Sequence, residues 1–269
     1  MFYLISFPGG RKKAFTLSYD DGQIFDRRLV EIMNKNGLKG TFHLNSNTLD
    51  VETDTDWFVK MDEIKTLYAG HEVSCHGFTH PFFTHIPKDQ AVAQIWEDRK
   101  ALEAAAGYPI RGMSYPYGDY DDEFIDIAVK LGMEYSRTVE STGEFYIPKD
   151  WMRWHPSCHH NQALDLVDRF LEPVKFNRLS LFYVWGHSFE FNRQNTWDMM
   201  EEFCAKMAGH DDIWYATNIE IKDYITAARN LITTTDGTKV YNPSAVTVTV
   251  DVNGRQIEIE PGKTVDLTC

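Results

Sequence analysis

From Lys13 onward, short runs of β-branched and aromatic residues alternate with longer segments whose apolar residues recur at helical spacing. "KAFTLSY" predicts a strand over 13–19, "QIFDRRLVEIMNKNG" a helix over 23–37 closing on Gly37, and "KGTFHLN" the next strand over 39–45. The order repeats with a helix over 57–70, a strand at 71–75, a helix over 88–107, a strand at 110–116, a helix over 121–132 and a strand at 133–139. Residues 140–160 are irregular, followed by a helix over 161–172, a strand at 178–186, a helix over 196–209, a strand at 212–218 and a closing helix over 223–230. This rhythm implies parallel strands joined by right-handed crossovers, in a barrel or a doubly wound sheet. From Leu231 the texture changes to period-two alternation with a hairpin signal at Asn253-Gly254. We therefore expect an α/β domain over 1–230 and a small β-hairpin extension over 231–269, too short for a sugar-binding module and structural in role.

Length and charge narrow the field of partners. A chain of 269 residues can bury the core of one large α/β domain. Its 27 basic and 40 acidic residues give a net charge of −13 with no long basic block, which argues against nucleic acid and anionic membrane surfaces. The N-terminal "MFYLISFPGGRKK" places its charges after its apolar run, the reverse of a secretory signal, and no stretch reaches membrane-spanning length. A cytoplasmic location without membrane insertion is the expectation; nothing in the pattern sets an oligomeric state. Four scattered cysteines with no Cys-x-x-Cys pair read as reduced thiols.

The candidate chemistry begins at "LSYDDGQ", residues 17–23, where a strand runs into two adjacent carboxylates. A turn needs only one of them. A second unusual segment, "HEVSCHGFTHP", sets His76 and His80 four apart just past another strand. Ten histidines would give roughly 0.4 such pairs by chance, so spacing alone decides little. Position decides more. "YPYG" at 115–118 and "WGH" at 185–187 also end predicted strands, and strand ends at the carboxyl face of a barrel converge on one mouth. The other such pair, His155 and His159, falls in the irregular segment, where a solvated or supporting role is expected. Two imidazoles and one carboxylate complete the protein ligands of a catalytic Zn²⁺, and the second aspartate of the doublet is then free to act as a general base.

Together, "SYDDG", "HGFTH", "SYPYG" and "LFYVWGH", in this order over roughly residues 12–230, resemble the motifs of the polysaccharide deacetylase family, the NodB homology domain or carbohydrate esterase family 4. The resemblance implies a distorted (β/α) barrel, a divalent metal and hydrolysis of N-acetyl, or sometimes O-acetyl, groups from an acetylated carbohydrate. By motif position, Asp21, His76 and His80 would hold the metal, Zn²⁺ foremost, with Co²⁺, Ni²⁺ or Mn²⁺ also compatible. Asp20 would be the base, the Tyr117 backbone N–H an oxyanion donor and His187 the general acid. Trp185 and Tyr117 would line the sugar pocket, with Glu190 and Asn192 as further sugar contacts. Two departures stand out. Gly77 replaces the usual Ser or Thr, and Ser114 stands where the family's third motif carries the arginine that orients the base. Arg153 in "WMRWH" is expected to supply that guanidinium to Asp20. An O-acetyl esterase, a small-molecule amidohydrolase and a non-catalytic sugar-binding protein remain alternatives on the same residues.

Overall fold

The computed structural model describes residues 3–51, 57–175 and 178–268. After a short strand at Leu4–Ser6 (β1), Lys13–Asp20 (β2) is buried at all eight positions. Such a run needs cover on both faces, so β2 becomes the middle of the sheet. Gly40–Leu44 (β3), Glu72–Cys75 (β4), Gly112–Ser114 (β5) and Tyr135–Arg137 (β6) follow outward on one side in chain order. On the other side Cys158–His159 (β7) lies outside Ser180–His187 (β8), and Ile213–Tyr215 (β9) pairs with the first residues of β2. Every pairing in this sheet is parallel, and it curls into a half barrel, one of the two architectures the alternating pattern allows and the one the family resemblance implies.

The helices cover its outside: Asp26–Lys35 (α1), Ile64–Leu67 (α2), Lys88–Ala106 (α3), Asp122–Lys130 (α4), Ala163–Leu171 (α5), Ser188–Gln194 (α6), Trp197–Met207 (α7) and Asn218–Arg229 (α8). All but α8 bury apolar faces on a core that includes Phe15, Leu17, Phe42, Ile95, Phe182 and Phe203, while Ile221, Tyr224 and Ile225 of α8 pack in a second cluster. Several elements differ from expectation, among them β1 and β7, where no strand was expected. Of the helix expected over 57–70 only Ile64–Leu67 is α-helical, because Trp57–Val59 hydrogen-bonds to the loop after Asp21, with Ile24 N donating to Trp57 O (3.1 Å) and Val59 N to Gly22 O (2.8 Å). The seven-residue α6 directly follows β8, too short for periodicity to signal.

The C-terminal segment holds five strands: Ile232–Thr233 (β10), Lys239–Tyr241 (β11), Val248–Val252 (β12), Arg255–Ile259 (β13) and Thr264–Asp266 (β14). They form two three-stranded sheets, and β1 joins one of them by pairing antiparallel with β12. Asn253 and Gly254 both take positive φ, as the β12–β13 hairpin requires. Phe7, Trp214, Tyr224, Val248 and Val250 share one apolar cluster joining these sheets to the barrel. Cys75, Cys158 and Cys204 are buried free thiols; Cys269 lies outside the described residues.

Arg111 ties the start of β6 to α8, donating to both oxygens of Glu134 (2.5 and 2.7 Å) and of Asp223 (2.8 and 2.7 Å), while Lys222 also pairs with Glu134. The Arg111 bonds, against partial burial, pull the Glu134 carboxyl down to about 2. A depressed carboxyl contributes stability above its unfolded value that is lost as pH falls through the folded one. Glu134→Gln should therefore cost about 1–2 kcal/mol at pH 7 after discounting for solvent screening, a gap that narrows between pH 4.5 and 2. Urea unfolding of both proteins across that range checks it.

Candidate active site

The parallel register gathers the polar side chains at one end. Asp20 is the last residue of β2, Ser114 of β5, Arg137 of β6, His159 of β7 and His187 of β8, and His76 follows β4. Asp20 stands level with His43 of β3 on one side and His187 of β8 on the other. Backbone strain concentrates here too. Of the six non-glycine residues with positive φ among the described residues, Asp21 (80°), His80 (57°) and Tyr117 (58°) belong to this mouth. Such conformations persist where the surroundings over-determine them, which is common at functional sites.

Asp21, His76 and His80 each bring a ligand atom within 4.8 Å of the other two. Asp21 Oδ1 is 3.7 Å from both His76 Nε2 and His80 Nε2. The partners of His76 settle its tautomer. Its Nδ1 lies 3.0 Å from the Ser114 carbonyl oxygen, which only accepts, so Nδ1 carries the proton and Nε2 presents its lone pair toward Asp21. The loop bearing both histidines is clamped from behind. Asn45 Nδ2 donates to the carbonyls of His76 (2.6 Å) and Gly77 (2.7 Å), and buried Asp98 of α3 accepts from His76 N (3.0 Å) and from Ser46 N and Oγ (2.8 and 2.7 Å). Burial raises Asp98 to about 6 despite those bonds. Gly77 has φ of +78°, and an added Cβ would sit 3.1 Å from both Phe83 and Pro81, which accounts for glycine at this place in the motif. The donor set fits a divalent cation of the Zn²⁺ type.

Asp20 is 2% exposed and shares its two oxygens between two partners. Ser114 Oγ donates to Oδ1 at 3.1 Å, and the guanidinium of fully buried Arg137 donates to Oδ2. This corrects the expectation for Arg153, whose guanidinium pairs instead with Asp150 (2.6 Å) and Asp122 at the surface. The reason is topological. β6 lies four strands from β2, so curling of the sheet brings its last side chain across the interior onto Asp20, whereas Arg153 sits in a helical turn outside the barrel. Burial would raise Asp20, but Arg137 and the neighbouring imidazoles overcome it and hold the carboxylate well below the usual range. Burial and the adjacent Asp20 charge push Asp21 the other way, against His187. Ser114 also lies 2.7 Å from His76 Nδ1, so it links base candidate and ligand candidate.

His187 turns Nε2 toward Asp21 Oδ2 at 4.0 Å, while its Nδ1 bonds Glu190 Oε1 at 2.7 Å. Burial alone would lower this imidazole, yet the Glu190 bond and the Asp21 charge raise it above the ordinary histidine value. Tyr117 is 58% exposed and stacks on Phe82 with centroids 3.9 Å apart. Trp185 has one ring face covered by the Arg137 guanidinium at 4.3 Å and the His159 ring 5.0 Å away edge-on, so that face supports Arg137 and is closed to a sugar. Asn192 lies exposed on α6. The sequence reading missed Arg137, Asp98 and the supporting role of Glu190. Arg137 carried a usable signal, a cation ending a strand of buried pattern, which is the same strand-end rule that found Asp20 and His187.

Fold and site together define a curled parallel (β/α) sheet with an Asp-His-His cluster at its carboxyl mouth. The polysaccharide deacetylase family model matches residues 8–136 of the chain. Chitin deacetylase 1 of Cryptococcus neoformans is 27% identical over 146 residues, covering 52% of this chain and 29% of that protein. The peptidoglycan-N-acetylmuramic acid deacetylase PdaC of Bacillus subtilis is 25% identical over 114 residues, covering 42% and 23%. The chain thus spans less than a third of either relative. In fold it resembles a putative polysaccharide deacetylase from Mycobacterium smegmatis (TM-score 0.63, 18% identity, 85% of this chain and 95% of that one). It also resembles a family 4 carbohydrate esterase pseudoenzyme from Bacillus anthracis (TM-score 0.51, 17% identity, 81% and 68%).

The two arginines give opposite expectations. Arg137→Met strands a buried carboxylate and should destabilise the fold by about 3–5 kcal/mol, with Asp20→Asn in the same chain recovering most of the loss. Arg153→Ala removes surface pairs and should cost under about 1 kcal/mol. Chemical denaturation of the four proteins distinguishes them, and equal losses for the two arginines would contradict the assignment.

Proposed function

We propose that the chain is a metal-dependent carbohydrate deacetylase that hydrolyses N-acetyl groups. The observation that carries this reading is the pairing of opposite proton roles on neighbouring strands. Arg137 favours the ionised form of Asp20 and the Glu190 bond favours the protonated form of His187, beside the Asp21, His76 and His80 cluster. Asp21, His76 and His80 would hold the cation, most in keeping with Zn²⁺, which when bound supplies Lewis acidity and lowers the pKa of water. Asp20 Oδ1 and Oδ2 accept from Ser114 and Arg137, which fixes the plane of the carboxylate as it orients the attacking water and accepts its proton. His187, with Nδ1 committed to Glu190, has Nε2 free to give a proton to the departing amine. The strained backbone of Tyr117 sets its N–H at the mouth as a donor to the developing oxyanion, a contribution on the order of 3 kcal/mol. The exposed Tyr117 and Phe82 rings offer apolar surface beside His80 for an acetylated sugar.

The test is acetate release from N-acetylglucosamine oligomers, acetylated xylan and small N-acetyl compounds. Release should vanish on chelation, return with Zn²⁺ and fall by roughly 10²–10⁴ in Asp20→Asn. His187→Ala should slow amide cleavage more than acetyl-ester cleavage, because an alkoxide leaves with less need of a proton. Release indifferent to both chelation and Asp20→Asn would overturn the reading. Preference for the xylan ester or for a small amide would move it to the corresponding hydrolase, and sugar binding without release would make the chain a binding protein.

A further inference from the structure

On the His187 side of the mouth, a second set of ligating side chains gathers, of which the proposed reaction uses only Glu190, and that through its other oxygen. His159 ends β7, His160 follows it, and Glu190 stands in the first turn of α6. His159 Nε2 and His160 Nε2 lie 3.3 and 3.2 Å from the same oxygen, Glu190 Oε2, and the three groups offer ligand atoms within 4.8 Å of one another. We propose that His159, His160 and Glu190 form a second divalent-cation site, of the chemistry that takes Zn²⁺ or Co²⁺, separate from Asp21, His76 and His80.

Three features carry the assignment. The separations match a tetrahedral ligand edge, which for metal–ligand bonds of about 2.0–2.1 Å is about 3.3 Å. His160 is fully buried, yet neither of its ring nitrogens has a hydrogen-bond partner. Close approach to a carboxylate without hydrogen-bond alignment is the relation of two ligands sharing one ion, whereas an unsatisfied buried imidazole is costly by itself. The contrast is His187, which meets the other oxygen of Glu190 in a true hydrogen bond at 2.7 Å. Space for His160 is also built in, because a Cβ on Gly186 would lie 1.9 Å from its Nδ1. The Asn161 amide reaches His159 Nδ1 only at 3.4 Å, too loose a contact to dictate that ring's tautomer. Glu190 would thereby give Oε2 to the cation and Oε1 to His187, fixing the imidazole from behind.

The assignment does not rest on the hydrolase reading, and metal counting separates them. The full chain, stripped with chelator, reloaded with Zn²⁺ or Co²⁺ and dialysed, should retain two equivalents by elemental analysis. His159→Ala and Glu190→Gln should each retain one, as should His80→Ala, and only the first two should lose the Co²⁺ absorption of the second site. His159 is partly exposed, so its alanine variant should fold, which a thermal melt verifies. A single equivalent in the wild type, abolished by His80→Ala, would overturn the second site and leave the first standing. Two equivalents kept by both His159→Ala and Glu190→Gln would also overturn it. A single equivalent abolished by His159→Ala instead would support the second site and remove the cation from the first.

Discussion

The buried ion pair between Asp20 and Arg137 is the constraint on which the mouth depends. A carboxylate at 2% exposure is costly to ionise, and a guanidinium at full burial cannot shed its charge, so each requires the other. Because the two stand on strands four apart in the sheet, the pair forms only if the sheet curls. Trp185 closes the guanidinium from one side at 4.3 Å and the Thr138 carbonyl accepts from it at 3.1 Å. The curvature that makes a half barrel and the electrostatics that keep Asp20 ionised are thus one structural fact.

From that pair the rest of the site follows in steps. Ser114 spends its hydroxyl joining Asp20 to His76. That contact and the Ser114 carbonyl hold the proton on His76 Nδ1, so the ring meets Asp21 with its lone pair. Asp98 and Asn45 then fix the backbone on which His76 and His80 are spaced. The substitution that reads in sequence as a lost arginine is, in the structure, an exchange of the guanidinium from β5 to β6.

The succession of strands and helices, the mouth and the cluster of Asp20, Asp21, His76, His80 and His187 were legible because each depends on local signals, a period-two or buried run ending in a polar residue. The position of the orienting arginine was not. Which cation reaches Asp20 depends on how far the sheet curls between β6 and β2, a non-local quantity that no spacing records, although the strand-end position of Arg137 distinguished it from Arg153. The 57–70 segment failed for a related reason, since helical periodicity there yields to backbone pairing with the loop after Asp21. The β1–β12 pairing joins the two ends of the described chain, a contact over more than two hundred residues that alternation alone cannot specify.

The environments of Asp20 and His187 show why adjacent strands rather than adjacent residues would divide the proton work. They are level in register, so one approach path meets both, yet their partners differ in sign. Arg137 favours the charged carboxylate and Glu190 favours the charged imidazole, so each group is biased toward the protonation state its proposed step requires. If Glu190 also anchors a cation through its second oxygen, its orientation is set by β7 rather than by α6 alone. The acid would then be held by a strand of the sheet, as the base already is through Arg137 of β6.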